Sequence, residues 1–155
     1  MAMQNNEIQL KKSFVPEKAF ALFKDAEREF KENGSFSNEI LENLHSYFGE
    51  PFSKAVEMVD KCRIIKYSPA NPQRNIYEIS SRTEQYSLFE NINFCHCGFF
   101  KECVLSLKNN ISCCHVLTVY LARIMGKCRE ETLSENIFEE YLNGRLDKFL
   151  EDRLE

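Results

Sequence analysis

Phe94-Cys95-His96-Cys97 and, after fifteen intervening residues, Cys113-Cys114-His115 decide how this chain is to be read. Each stretch sets two metal-binding residue types one position apart, C-x-C and then C-x-H. On an extended backbone, residues i and i+2 leave on the same side. Cys95 and Cys97 therefore converge while His96 turns away, and on the same logic Cys113 and His115 converge while Cys114 turns out. Three thiolates and one imidazole complete a tetrahedral shell around Zn(II). No position stays open for water or substrate, which is the composition of a structural zinc site. Free cysteine is also among the most frequently buried residue types, but burial alone gives no reason for two ligand pairs, each spaced by one.

Upstream of the first pair, Asn91-Ile92-Asn93-Phe94 alternates polar and apolar, which puts Cys95 at the end of a strand or on its turn. Gly98 is expected to let the backbone bend round the metal. Downstream of the second pair, residues 113–127 read as a helix that begins at the ligands. It is apolar nearly all round, with Val116, Val119, Tyr120 and Ile124 on one side and Leu117, Leu121 and Met125 on another. Such a helix cannot leave both faces in water. The first face is expected to cover the chain's own strands, and Leu117, Leu121 and Met125 to dock on a partner protein.

The remaining periodicities give an α+β fold with N-terminal helices, a small antiparallel sheet, the zinc-stabilised finger and C-terminal helices. Residues 17–33 form an amphipathic helix entered at Pro16, residues 38–48 a second ended by Gly49, and Pro51 opens a third. Strands follow at 63–67, 75–79 and 85–89. Residues 99–107 fit helix and strand equally. Thr132-x-x-Glu135 matches a capping box, opening a helix that Asn143-Gly144 should end near Leu142. The chain of 155 residues suits a single domain, with a helical part over 13–61, strands plus finger over 62–128 and an acidic helical tail over 130–155.

No apolar run approaches the length of a membrane span, and residues 1–12 lack the apolar core of a signal peptide, so the expectation is an intracellular protein without membrane contact. Seven cysteines in that setting read as ligands and thiols rather than disulfides. A net charge of −4 argues against coating nucleic acid by bulk electrostatics. Residues 61–74 nevertheless carry Lys61, Arg63, Lys66 and Arg74 with no acid among them, and Arg63, Lys66 and Arg74 are the candidate DNA contacts. No G-x-x-x-x-G-K-[ST], H-E-x-x-H or deaminase-type H-x-E with P-C-x-x-C occurs. The chain is therefore expected not to be an enzyme.

With strands before it and a long helix after it, the C-x-C…C-x-H site resembles a SWIM-type zinc finger. The wider stretch resembles the family of short SWIM proteins of the Shu recombination complex. The likeness runs over roughly 41–128, through Leu44-His45-Ser46-Tyr47-Phe48-Gly49, Ala55-Val56-Glu57-Met58-Val59-Asp60, the strand pair as far as Tyr77, both ligand pairs and Val116-Leu117-Thr118-Val119-Tyr120-Leu121. It implies one structural zinc and a nuclear protein that pairs with a RecA-family recombinase paralogue and promotes strand-exchange filaments in homologous recombination. Contact with single-stranded DNA would then be weak and mainly through the partner; the alternative is a finger that binds DNA directly. The family pattern continues C-x-H-x-x-A, where this chain has Thr118. Threonine adds a branched side chain whose hydroxyl can bond the carbonyl one turn back.

Overall fold

In the computed structural model of the protein, residues 2–70 and 75–154 are described, with side chains over 16–70 and 75–145. Three helices open the chain: α1 (Ala2–Asn33), α2 (Asn38–Phe48) and α3 (Glu50–Lys61). Strands β1 (Arg63–Pro69), β2 (Ile76–Ser80) and β3 (Gln85–Phe89) follow. A π-helical segment (Phe100–Ser106) precedes α4 (Cys114–Met125), β4 (Arg129–Leu133) and α5 (Glu135–Leu154).

The first helical corner is fixed by local chemistry. Ser37 caps α2 by accepting the Ile40 N–H, and its hydroxyl donates to Glu29 Oε2 at 2.9 Å. Gly49, at φ 68° and ψ −144°, ends α2 in a conformation that side chains rarely adopt. Because α3 begins at the next residue, with Pro51 in its first turn, the two helices fold back with no linker. Their apolar stripes, Ile40, Leu44 and Phe48 on α2 and Phe52, Ala55 and Val59 on α3, are buried together with Ala19, Phe23 and Ala26 of α1. Phe23 stacks on Tyr120 of α4 with ring centroids 4.8 Å apart. Helix α4 packs against α3, α1 and β2 and so forms the centre of the molecule.

The sheet has the order β3-β2-β1-β4. The expected antiparallel arrangement holds for β1 to β3, but β4 adds a parallel edge beside β1, with Ile65 opposite Arg129. That strand is missed in the sequence because Arg129-Glu130-Glu131 has the charged composition of a protected edge rather than the apolar alternation of a half-buried strand. Alternation along β1 and β2 sends Ile64, Tyr77 and Ile79 to the helical core and Ile65 and Ile76 to the opposite face. Helix α5 lies over that second face. Tyr141 brings its ring to 4.8 Å from that of Tyr67, and its hydroxyl donates to Glu78 Oε2 at 2.5 Å. Arg145 reaches the same carboxylate oxygen at 2.9 Å, so the buried Glu78 is charge-paired. Burial first, and then the bond to Glu78, push the Tyr141 hydroxyl up to about 12.

Three helix boundaries differ from the sequence reading. Helix α1 starts at Ala2 and contains Pro16 instead of beginning at it. Helix α5 starts after Ser134, since Thr132 belongs to β4, and it runs through Asn143-Gly144 to Leu154. A glycine inside a helix costs about 1 kcal/mol relative to alanine, and the anchoring of Tyr141 and Arg145 on the sheet outweighs it. No helix among the described residues is long and apolar enough to cross a membrane.

The expected bare face of α4 is corrected as well. Leu117 is 0% and Leu121 1% exposed, and Met125 packs against the same core, as Val116 and Val119 do on the other side. Helices α1 and α3 and the sheet enclose α4, so both apolar faces are satisfied inside the chain. Leu121→Asp would place a carboxylate where nothing meets it, with an expected loss of more than about 4 kcal/mol. Circular dichroism melting checks this; a variant that melts like the wild type would contradict the enclosure of α4.

Candidate metal centre

The Sγ atoms of Cys95, Cys97 and Cys113 and a ring nitrogen of His115 lie within 4.8 Å of one another, and all four residues are buried. Two different local structures deliver them. After β3 the chain reverses at Asn91, which takes φ 58°, with Ile92 N–H donating to Phe89 O at 3.3 Å. Residues 92–96 then run without ladder pairing, so Cys95 lies on an irregular segment and not at a strand end. Cys97 sits at a bend, and the Phe100 N–H donates to its Sγ at 3.3 Å. Gly98 takes helical backbone with open space around it, so the bend does not depend on glycine there. Within residues 99–107, ambiguous in sequence, Phe100–Ser106 winds as a π-helix closed by Leu107 N–H to Glu102 O at 2.8 Å, a form often found beside functional sites.

The second pair belongs to a helix start. Cys113 is the N-cap of α4, extended at φ −105° and ψ 168°, and His115 lies in the first turn. The two converge through entry into the helix, not through strand alternation, and Cys114 is left half-buried outside the set. His115 Nδ1 lies 3.7 Å from Cys95 Sγ, so this nitrogen faces the thiols. The Tyr86 ring packs 4.0 Å from the His115 ring and 5.1 Å from that of His96. Behind the ligands Thr118 is fully buried, and its hydroxyl donates to Cys114 O at 2.6 Å, one turn back as its residue type implies.

This chain is similar to the zinc finger SWIM domain-containing protein 7 of Homo sapiens, 28% identical over 105 residues, which cover 68% of this chain and 75% of the human protein. The Danio rerio protein of the same name is 26% identical over 114 residues, covering 74% and 81%, and that of Mus musculus 22% over 121 residues, covering 78% and 80%. All three relatives are SWIM-type zinc finger proteins by name. No family model matches the chain, and no solved structure does.

The electrostatics of the three-cysteine, one-histidine cluster show why its thiols suit a cation. Hydrogen bonds from Cys113 and then Cys95, helped by His115 and the Phe100 N–H, hold Cys97 far below the usual thiol range. Cys113 is driven far up by its bonds to Cys95 and Cys97 and by burial. For Cys95 the bond with Cys113 acts downward, but the bond to Cys97 and burial outweigh it and push the thiol up to about 12. Three thiolates in that volume need a divalent ion to offset them. Soft sulfur donors with one imidazole, four in number, fit Zn(II) and not the oxygen-seeking Mg2+ or Ca2+.

The candidate DNA contacts are not brought together. Arg63 and Lys66 sit three apart on β1 and so leave on opposite faces of the sheet. Lys66 Nζ is 3.6 Å from Glu130 of β4, and Arg74 lies outside the described residues. Basic residues nearer the finger are also engaged: Arg123 with Glu90 at 3.2 Å and Asn91 at 3.1 Å, Lys127 with Asp60, and Arg129 with Glu131 at 3.3 Å. Sequence reasoning missed Tyr86, Asn93 and Ser112 around the finger, since none is a ligand type and their contacts cross long stretches of chain.

Cys113→Ser is expected to abolish retention of metal, whereas His96→Ala and Cys114→Ser should keep about one zinc per chain, as a closed four-ligand set requires. Elemental analysis of the purified variants checks this, and full zinc retention by Cys113→Ser would sink the assignment.

Proposed function

We propose that the chain is a non-catalytic zinc-binding adaptor of the nucleus that pairs with a RecA-family recombinase paralogue and promotes homologous recombination. The observation that carries this reading is the closed, buried set of three cysteines and one histidine at the root of α4. An ion with four protein ligands has no position for substrate or activated water, so its contribution is shape. Likeness to zinc finger SWIM domain-containing protein 7 supports the zinc-binding part of this reading, and the class of partner is what the resemblance of residues 41–128 to the short SWIM proteins of the Shu complex implies. These 155 residues carry no phosphate-cradling G-x-x-x-x-G-K-[ST], so if the complex hydrolyses nucleotide, the partner does it.

Contact with single-stranded DNA is weak in this reading and runs mainly through the partner. The net charge of −4 and the pairing of Lys66 with Glu130 support that. The isolated chain should bind single-stranded DNA no more tightly than the roughly micromolar, salt-dependent level of non-specific phosphate contact. Fluorescence anisotropy at rising salt measures it, with an Arg63→Ala, Lys66→Ala, Arg74→Ala variant expected to flatten the salt slope. Nanomolar binding at physiological salt would favour the direct DNA-binding finger instead.

The adaptor role is tested by co-expressing the chain with a RecA-family paralogue from the same source. A stoichiometric complex is expected from the zinc-loaded wild type and none from Cys97→Ser. A folded, zinc-loaded wild type that fails to associate would remove the partner class.

A further inference from the structure

Asn93 stands two residues ahead of Cys95, and its side chain crosses to the other ligand segment. Its Nδ2 donates to Ile111 O at 2.9 Å, and its Oδ1 accepts from Ser112 Oγ at 2.7 Å. A backbone carbonyl can only accept, so Ile111 O fixes which end of the amide is nitrogen. Ser112 is 1% exposed and adjoins Cys113, so its hydroxyl needs the partner that Asn93 supplies. One side chain thus joins the approach to the first ligand pair to the two residues immediately before the second. Neither bond uses a ligand atom, so both can form before any metal arrives.

We propose that Asn93 is the positioning residue of the metal centre, clipping the two ligand segments together so that the ion meets donors already gathered. This rests on the zinc-binding reading above. Fifteen residues separate Cys97 from Cys113, and bringing the ends of such a loop together costs chain entropy. When the ion alone closes the loop, that cost is subtracted from its affinity. When Asn93 closes it during folding, the ion is spared it. The backbone bonds of the first ligand segment are local, Ile92 N–H to Phe89 O and Phe94 N–H to Ile92 O. The side chain of Asn93 carries two hydrogen bonds across to the second segment that use no ligand atom.

The experiment uses the full chain and its Asn93→Ala, Ser112→Ala and Ser112→Thr variants. Zinc affinity is measured by competition with a chromophoric chelator, geometry by the absorption spectrum of the Co(II)-loaded protein, and stability by thermal unfolding with and without zinc. Asn93→Ala is expected to weaken zinc binding about tenfold or more, the scale on which groups supporting metal ligands act. Ser112→Ala should weaken it less, and Ser112→Thr, which keeps the hydroxyl, should restore it. The zinc-loaded form of Asn93→Ala should lose more of its melting temperature than the metal-free form, with the cobalt bands broadened. A folded Asn93→Ala protein with wild-type zinc affinity overturns the proposal, as does an equal fall in melting temperature with and without zinc. Should Asn93→Ala fail to fold, the serine pair decides: equal affinity in Ser112→Ala and Ser112→Thr overturns it. A wild type that binds no zinc rejects the zinc-binding reading itself, and the clip with it.

Discussion

Everything around the finger depends on one electrostatic constraint. Three buried thiols stand within reach of one another and of an imidazole, and negative charges gathered so closely repel unless a cation sits among them. The same four residues join two segments of different kinds, an irregular stretch leaving β3 and the first turn of α4. An ion held there would lock the start of the central helix to the edge of the sheet. Structural zinc contributes about 10–16 kcal/mol in small fingers, against about 5–15 kcal/mol for the net stability of a whole domain. A term of that size in the middle of the core is not a local decoration.

Where a local signal carried its own mechanism, the sequence was legible. Helix α2 falls at Asn38–Phe48 as read, because Ser37 and Gly49 punctuate it chemically, and β3 falls at Gln85–Phe89 as read. The four candidate ligands do come together, but the geometry behind their convergence was misread: the first pair is not on a strand and the second is a helix cap followed by a first-turn residue. What spacing could not reveal is which element covers which. The Leu117 and Leu121 face looked bare only because the packing of α1 and α3 around α4 is invisible in a one-dimensional pattern. The bridge from Asn93 to Ile111 and Ser112 was illegible for the same reason, since a polar residue in an alternating stretch carries no sign of a partner eighteen residues away.

The enclosure of α4 also changes where association must be sought. In the adaptor reading a partner could not use a face that already lies in the core, and docking would fall to other surfaces. The large apolar side chains that remain in water include Leu105 and Leu107, on and just after the π-helical segment between the ligand pairs, and Val56 on α3. An ion at the cluster would govern such surfaces only indirectly, by fixing the segments on which they stand.

Parallel pairing of β4 with β1 has a consequence for how the chain acquires its shape. The strands β1 to β3 meet through antiparallel neighbours close in sequence, whereas Ile65 meets Arg129 only after both ligand segments and all of α4 have been threaded between them. Contacts of such long sequence separation are slow to form, because the intervening chain must first lose its freedom. A cross-link between residues 97 and 113 would take a part of that intervening chain out of the search. Metal loading would then belong to the kinetics of assembly as well as to its final stability: the last strand would find its edge soonest in a chain whose two ligand segments had already closed on an ion.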